Sequence, residues 1–344
     1  MTKMTRIALA TLAVMGATTA MAQSSVTLYG RINTTVEHQK LGDQSATGMV
    51  NNASRFGFRG TEDLGGGLKA GFVLESGFSS DTGAAASTFF GRQSEVNLSG
   101  NFGMVRLGNF FPESYFASAD YVSMHNHDTG PSSDALYQDP NWMGASTGGQ
   151  GGVGGLGTGN KISYRTPAMG GFWAEGSVSM HEKAAGTNSK NGYDLAANYN
   201  QGPLALGAGY SRWNSNWQAS LRGLYTFGAV TLGGYYQRND ETLMGSRNNF
   251  RLSAMYAMGA SEFHANVGRA NSWSNLSSSA ATQFTLGYNY NLSKRTKVYT
   301  YYTRVNNGNN ASYGYGNALS DSMTAGQPTG KDFSSFALGV RHAF

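Results

Sequence analysis

The feature that most constrains this chain is a two-residue rhythm. Val26, Leu28, Gly30, Ile32 and Thr34 fall on one face of an extended segment, and Thr27, Tyr29, Arg31, Asn33 and Thr35 on the other. A helix would mix these sets, whereas a strand separates them. Phe56 and Phe58 stand opposite Arg55, Gly57 and Arg59, and Ala70, Phe72 and Leu74 opposite Lys69, Gly71 and Glu75. Extended along the chain, the pattern predicts sixteen strands: near 26–35, 54–61, 69–78, 90–99, 104–110, 161–166, 172–181, 193–200, 204–213, 217–227, 230–239, 247–258, 262–273, 282–291, 296–306 and 335–344.

The links alternate as well. DLGGG, SGNFG, TPAMGG, NQGP, TFGA, MGAS and NLSKR are tight turns made of residues that supply hairpin backbone angles. Between them lie longer polar links, such as 37–53, 79–88, 183–191 and 307–334. Seven short turns and eight longer loops supply the fifteen links that sixteen strands need. One short rim and one long rim is the arrangement of outer-membrane barrels, with the short turns periplasmic. The expected fold class is all-β: a 16-stranded antiparallel transmembrane β-barrel with short periplasmic turns, longer external loops and an inward-folded third loop. A secreted β-sandwich or adhesin also has short strands and glycine turns. It gives no reason for the short/long rhythm or for the outward set Phe336, Leu338, Val340 and Phe344 of the last strand.

A charged start at Lys3 and Arg6, an apolar run over 7–17 and the small-x-small string Ala20-Met21-Ala22 make residues 1–22 a signal peptide, with the barrel spanning 23–344. After residue 22 no stretch reaches the roughly 18 consecutive apolar residues of a membrane helix. Spanning strands need none, because they alternate lipid-facing and lumen-facing side chains. The chain has 25 Lys and Arg against 20 Asp and Glu; without Lys3 and Arg6 the excess falls to about +3, too mild to argue for nucleic acid. It has no cysteine, which excludes disulfides and thiolate metal sites.

One link is far longer than an ordinary connection. Residues 111–159 contain Glu113, Asp120, Asp128, Asp134 and Asp139, while no Lys or Arg occurs between Arg106 and Lys161. Strand parity places this link at the external rim. There it could project into the medium, or tuck into the lumen as a constriction loop, its carboxylates facing inward-pointing Arg31, Arg55, Arg59 and Arg106. Electrostatic complementarity favours the inward course. Glu75, Gln93 and Glu95 are expected as acidic and polar lining on the same wall. Arg92 shares parity with outward Val96 and Leu98, which assigns it to the rim or to a subunit contact.

SSVTLYGRI at the mature start, SRFGFRGTEDLGGGLKAGF at 54–72, VNLSGNFGMVRLGN at 96–109, KISYRTP at 161–167, YNLSKRTKVY at 290–299 and GVRHAF at 339–344 resemble the general diffusion porins of Gram-negative β-proteobacteria. The resemblance covers nearly the whole mature chain. It implies a homotrimer in the outer membrane, surrounded by lipid and lipopolysaccharide, with the third external loop as constriction and Phe344 in the signal read by the barrel-insertion machinery. It also implies a basic wall that includes Arg55, with Arg59 its neighbour. Gln93 and Asn109 stand where relatives can place arginine, which thins that wall.

The function expected is passive diffusion of small hydrophilic solutes and ions, filtered by size and charge. Opposite unit charges about 10 Å apart interact by roughly 0.4 kcal/mol in water and roughly 1.7 kcal/mol at an effective dielectric near 20, enough to orient solutes across a narrow bore. A weak anion preference follows from arginines held on rigid strands. Gly144-Ala145-Ser146-Thr147-Gly148 and the glycines of 149–154 match nucleophile-elbow and dinucleotide strings, but outside any strand–turn–helix context. His125 and His127 are two imidazoles on a loop, which is no metal site by itself. No enzyme activity, cofactor or metal is expected. A substrate-specific transporter would need a convergent polar site in the bore, and an adhesin would act through its outer loops.

Overall fold

The computed structural model describes residues 25–118, 134–137, 146–147, 150–151, 159–181, 190–315, 318–319, 321–325 and 328–344. The expected signal peptide therefore lies outside the described residues. The chain forms one closed antiparallel barrel. Its strands are β1 (Ser25–Leu41), β2 in two collinear pieces (Gln44–Asn51 and Arg55–Gly65), β3 (Leu68–Gly77), β4 (Gln93–Gly100), β5 (Gly103–Asn109), β6 (Lys161–Arg165), β7 (Phe172–Ser179) and β8 (Gly192–Gln201). They continue with β9 (Leu204–Trp213), β10 (Asn216–Phe227), β11 (Val230–Glu241), β12 (Gly245–Met258), β13 (Ser261–Ala270), β14 (Ala281–Asn291), β15 (Thr296–Asn307) and β16 (Phe333–Ala343). Among the described residues two short helices lie in loops: α1 (Glu113–Ser118) and α2 (Asp321–Thr324).

Each strand pairs with its neighbours in sequence, and β1 closes on β16 from Arg31 opposite Ala343 to Leu41 opposite Phe333. Gly30 and Phe344 exchange two backbone hydrogen bonds of 3.0 Å, which extends the seam to the last residue. A side chain at Gly30 would meet the Phe344 ring at 2.6 Å, so only glycine lets the terminal aromatic lie across this strand.

The barrel is polar inside and apolar outside. On β12, Leu252 is 62% exposed while its neighbour Arg251 is 0% exposed, because alternate side chains turn to opposite faces. Val26, Leu28, Val36, Leu195, Leu221, Leu286 and Leu338 project outward like Leu252. Arg31, Asn33, Thr35, Glu37 and Gln39 turn inward and are buried. Inside, these groups satisfy one another: Glu37 accepts from Thr35, Gln39, Tyr301 and Ser335 at 2.6–2.9 Å.

Two differences from the sequence reading concern the outer rim. Residues 37–53 are not a loop: β1 continues to Leu41, turns at Gly42-Asp43, and returns as Gln44–Asn51 in register from Leu41 opposite Gln44 to Thr34 opposite Asn51. This hairpin top keeps its alternation with polar residues on the outward face too, which disguises it as a link. The return strand breaks at 52–54, where Ala53 has a φ of 53°, before β2 resumes at Arg55. The outer links at 214–215 and 242–244 are likewise tight. By contrast, the last outer loop folds into the mouth. Tyr313 and Met323 pack there against Leu41, Leu136, Val305 and Phe333, and the Asn307 side chain holds the Tyr313 and Lys331 carbonyls at 3.0 and 2.8 Å.

Leu252→Arg places a charge on the hydrocarbon face and is expected to lower stability by about 2–4 kcal/mol, measured by reversible urea unfolding from lipid vesicles. A loss below about 1 kcal/mol would put residue 252 outside the hydrocarbon.

Candidate functional site: the narrowed bore

The third outer loop enters the lumen as soon as β5 ends. Phe110 is buried between cations, with the Arg106 guanidinium 4.1 Å and the Lys161 ammonium 5.3 Å from its ring, and Lys161 donates to the Phe110 carbonyl at 2.9 Å. Helix α1 then lies on the lumenal wall of β8–β10. The Ser114 backbone N–H donates to Asp194 at 3.1 Å, the Ser114 hydroxyl meets both Asp194 and Ser211, and Arg222 donates to the Phe116 carbonyl at 3.2 Å. Gly207 and Gly209 make this approach possible. A Cβ at Gly207 would fall 1.9 Å from the Ala117 carbonyl oxygen, and one at Gly209 would fall 2.8 Å from the Ser114 side chain.

A second contact lies farther round the wall. Asp134 pairs with Arg251 at 2.9 Å and accepts from the Tyr235 hydroxyl. The Ala135 N–H donates to Gln283 at 2.9 Å, and the Leu136 carbonyl accepts from Arg247 and Asn249 at 3.0 and 2.7 Å. Arg247 is itself held over the Trp273 ring at 4.5 Å. Helix α1 and residues 134–136 therefore lie along the wall from β8 to β14. Asp120, Asp128, Asp139, His125 and His127 lie outside the described residues.

Of the loop carboxylates, the two among the described residues form their ion pairs with other lumenal arginines than those singled out from the sequence: Glu113 with Arg165 and Asp134 with Arg251. Arg106 is bound instead by wall carboxylates, Glu95 at 3.2 Å and Glu175, and donates to Ser163 at 3.2 Å. Arg165 bridges Glu175 at 2.7 Å and Glu113 at 2.8 Å. The result is a chain Glu95–Arg106–Glu175–Arg165–Glu113 that ties the loop helix to four strands. With three acids and two bases it is neutral when Glu113 is protonated. Burial pushes the Glu113 carboxyl up to about 8, against the pull of Arg165.

The remaining arginines stand across the bore on β1 and β2. Arg31 donates to the carbonyls of Ala53 and Asn52 at 3.2 and 3.4 Å, fixing the break in β2. Arg31 lies directly opposite Arg55, and beside them Lys297 of β15 lies opposite Arg341 of β16. Lys297 and Arg341 escaped the sequence reading, although strand parity plus closure of β16 on β1 is a signal that puts them on this wall. Glu75 tempers it, with Arg55 at 3.7 Å and Arg92 at 2.6 Å, and accepts from Tyr29 at 3.1 Å. Arg59 lies 5.1 Å over the Tyr29 ring. Gln93 lies opposite Glu75, and Asn109 holds the Gly91 carbonyl at 3.0 Å. The outward assignment of Arg92 is corrected here: β4 begins only at Gln93, so strand parity does not reach Arg92, which turns in to Glu75.

A closed barrel with a polar wall and a loop folded into its lumen is a geometry that known proteins share. The sequence profile described as Gram-negative porin matches residues 8–310. Outer membrane porin protein 32 of Delftia acidovorans is 34% identical over 364 residues, covering 99% of this chain and 100% of that protein. The chain belongs to the Gram-negative porin family. The solved structure of an anion-selective porin from Comamonas acidovorans matches this porin with a TM-score of 0.74 and 31% identity, over 94% of this chain and all of that one. The trimer form of OmpT from Vibrio cholerae matches with a TM-score of 0.66 over 93% of this chain and 99% of that one, at 17% identity, a likeness of fold alone. As a porin, the protein resides in the outer membrane of a Gram-negative bacterium, where it is a passive, water-filled channel for small hydrophilic solutes and is not an enzyme.

Two outcomes test the site. Gly207→Val is expected to lift α1 from the wall and raise single-channel conductance; unchanged conductance would mean that α1 does not narrow the bore. Raising the pH through about 8 ionises Glu113, so zero-current potentials in a salt gradient are expected to move towards cations in the native protein and stay flat in Glu113→Gln. Because the native carboxyl keeps its proton above the ordinary value of 4.5, its contribution to stability falls as pH rises from there to about 8.

Proposed function

We propose that this porin passes small anions in modest preference to cations, through a bore narrowed on one side by the 111–159 loop and lined on the other by Arg31, Arg55, Arg59, Lys297 and Arg341. The observation that supports this most is the pairing of like charges, Arg31 opposite Arg55 and Lys297 opposite Arg341. Like charges directly opposite one another destabilise a sheet. Two such pairs side by side serve a field in the lumen better than they serve the fold.

Several acids elsewhere in the described lumen are paired, Glu95 and Glu175 with Arg106, Glu113 with Arg165 and Asp134 with Arg251, while Glu37 and Asp194 are held by neutral donors. Glu75, beside Arg55 and Arg92, tempers the basic wall, so the preference is weak. A relative that is an anion-selective porin supports the same direction. We also propose a homotrimer, in keeping with the trimer form of OmpT, with Phe344 at the seam acting in assembly.

The test is the zero-current potential across a KCl gradient in planar bilayers. The native porin is expected to lean towards chloride, with conductance steps grouped in threes. Arg55→Glu is expected to move the permeability ratio towards cations about fourfold or more, since reversing a unit charge about 10 Å from the ion changes its energy by about 0.8 kcal/mol even in bulk water. An unchanged potential would remove Arg55 from the narrow point.

A further inference from the structure

The loop that narrows the bore carries rings that do not fasten it. On α1, Ser114, Ala117 and Ser118 are buried against the strands, as residues three and four apart share one side of a helix. Tyr115 and Phe116 stand on the sides turned away from that wall, and both are only half-buried. Phe111, just before α1, is half-buried too. The rings make one continuous track. The Phe111 ring centre lies 5.9 Å from that of Tyr115 and 6.3 Å from that of Phe116, and Tyr115 lies 5.3 Å from Phe116. Beyond them Tyr115 lies 6.2 Å from Tyr137, and Tyr137 lies 5.5 Å from Tyr235 of β11. The track is held in place before any solute arrives: the Tyr137 hydroxyl bonds to that of Ser118 at 2.6 Å, and Arg222 holds the Phe116 carbonyl at 3.2 Å.

The two ends of the track differ in charge. At Phe111 it meets the basic wall: the Arg92 guanidinium lies 5.8 Å from the ring, and Arg92 and Arg55 stand on either side of Glu75 at 2.6 and 3.7 Å. The Arg92 and Arg55 side chains are 28% and 23% exposed, so a solute can reach both. At the other end Tyr235 donates to Asp134, which Arg251 pairs at 2.9 Å. A solute that keeps its hydration has no use for such a row of rings, because hydroxyls and amides replace its water better. A solute with one flat apolar face and one anionic end fits both features.

We propose that the narrowed bore carries a subsite for aromatic carboxylates, with the arene on Phe111, Tyr115 and Phe116 and the carboxylate towards Arg92. Aromatic pairs gain from ring geometry beyond the area they bury, and the guanidinium fork matches a carboxylate in a bidentate manner. An aromatic cation meets the same rings but is repelled by Arg92 and Arg55. A saturated ring of equal charge meets the same arginines but lacks the π-face. The subsite thus discriminates by two independent features of one solute. The inference rests on the anion-preferring reading of the pore and names a solute class within it.

The test is block of the KCl current through the full porin in planar bilayers by benzoate, cyclohexanecarboxylate and benzylammonium. Benzoate is expected to halve the current at about fivefold lower concentration than cyclohexanecarboxylate, the order of one aromatic contact. Benzylammonium is expected to leave the current unchanged at that concentration. In the double variant Tyr115→Leu/Phe116→Leu, which keeps apolar bulk and removes the π-faces, the two carboxylates are expected to block equally. Arg92→Gln is expected to raise the half-blocking concentration of benzoate about threefold, as for loss of an exposed ion pair. Circular dichroism checks that each variant is folded, and the comparison of the three solutes on the native porin decides without any variant. Equal block by benzoate and cyclohexanecarboxylate in the native porin, equal block by benzylammonium, or an unchanged benzoate preference in the folded double variant would overturn the subsite. The zero-current potential without organic solute is read separately: a cation preference there fails the anion reading, whereas loss of benzoate discrimination in a chloride-preferring pore fails only this inference.

Discussion

Everything in this molecule follows from the impossibility of leaving a backbone amide unpaired in hydrocarbon. A strand that crosses a bilayer has no water to satisfy its N–H and C=O groups, so the sheet must close. Here closure is continuous from Arg31 opposite Ala343 to Leu41 opposite Phe333, and is completed by Gly30 with Phe344. Once the sheet is closed, alternation assigns every second side chain to lipid and the rest to the lumen. That is why Leu252 is exposed and Arg251 buried, the reverse of a soluble domain. Polar burial on this scale is tolerable because the inward groups bond to one another, as around Glu37 and Asp194.

A cylinder of this size would be a wide hole without the loop that enters it. Among the described residues the loop is fastened at two points of different chemistry. At α1 the wall offers glycine, so that helix backbone touches strand backbone, and a buried Asp194 accepts from Ser114. At Asp134 it offers a row of long polar side chains, Arg251, Arg247, Asn249 and Gln283, which satisfy a short bend. The chain Glu95–Arg106–Glu175–Arg165–Glu113 joins the first point to β4–β7. Removing Arg106 would leave Glu95 and Glu175 buried without their shared cation, at a cost of about 3–5 kcal/mol.

The sixteen strands and their lumenal sets were legible because the hydrocarbon enforces the two-residue pattern. The pattern fades where its cause does. Gln44–Asn51 is a strand without a row of large apolar side chains, and so resembles a link. Arg92 stands one residue before β4, where the chain is not yet extended and parity carries no information. The loop's partners were harder still: Arg165 and Arg251 fall at lumenal positions of predicted strands, but which carboxylate each receives depends on where a long loop lands. Arg341 and Lys297 become neighbours of Arg31 and Arg55 only after the last strand returns to the first.

The central claim is that alternate residues of one strand meet water inside and lipid outside. Because the chain contains no cysteine, single cysteines introduced along β2, whose lumenal positions 55 and 59 are accessible, report this directly. In open channels, a charged, membrane-impermeant thiol reagent is expected to reduce single-channel current stepwise at positions 55 and 59 and to leave 56 and 58 untouched. Reaction at consecutive positions, or at the even set alone, would contradict the account.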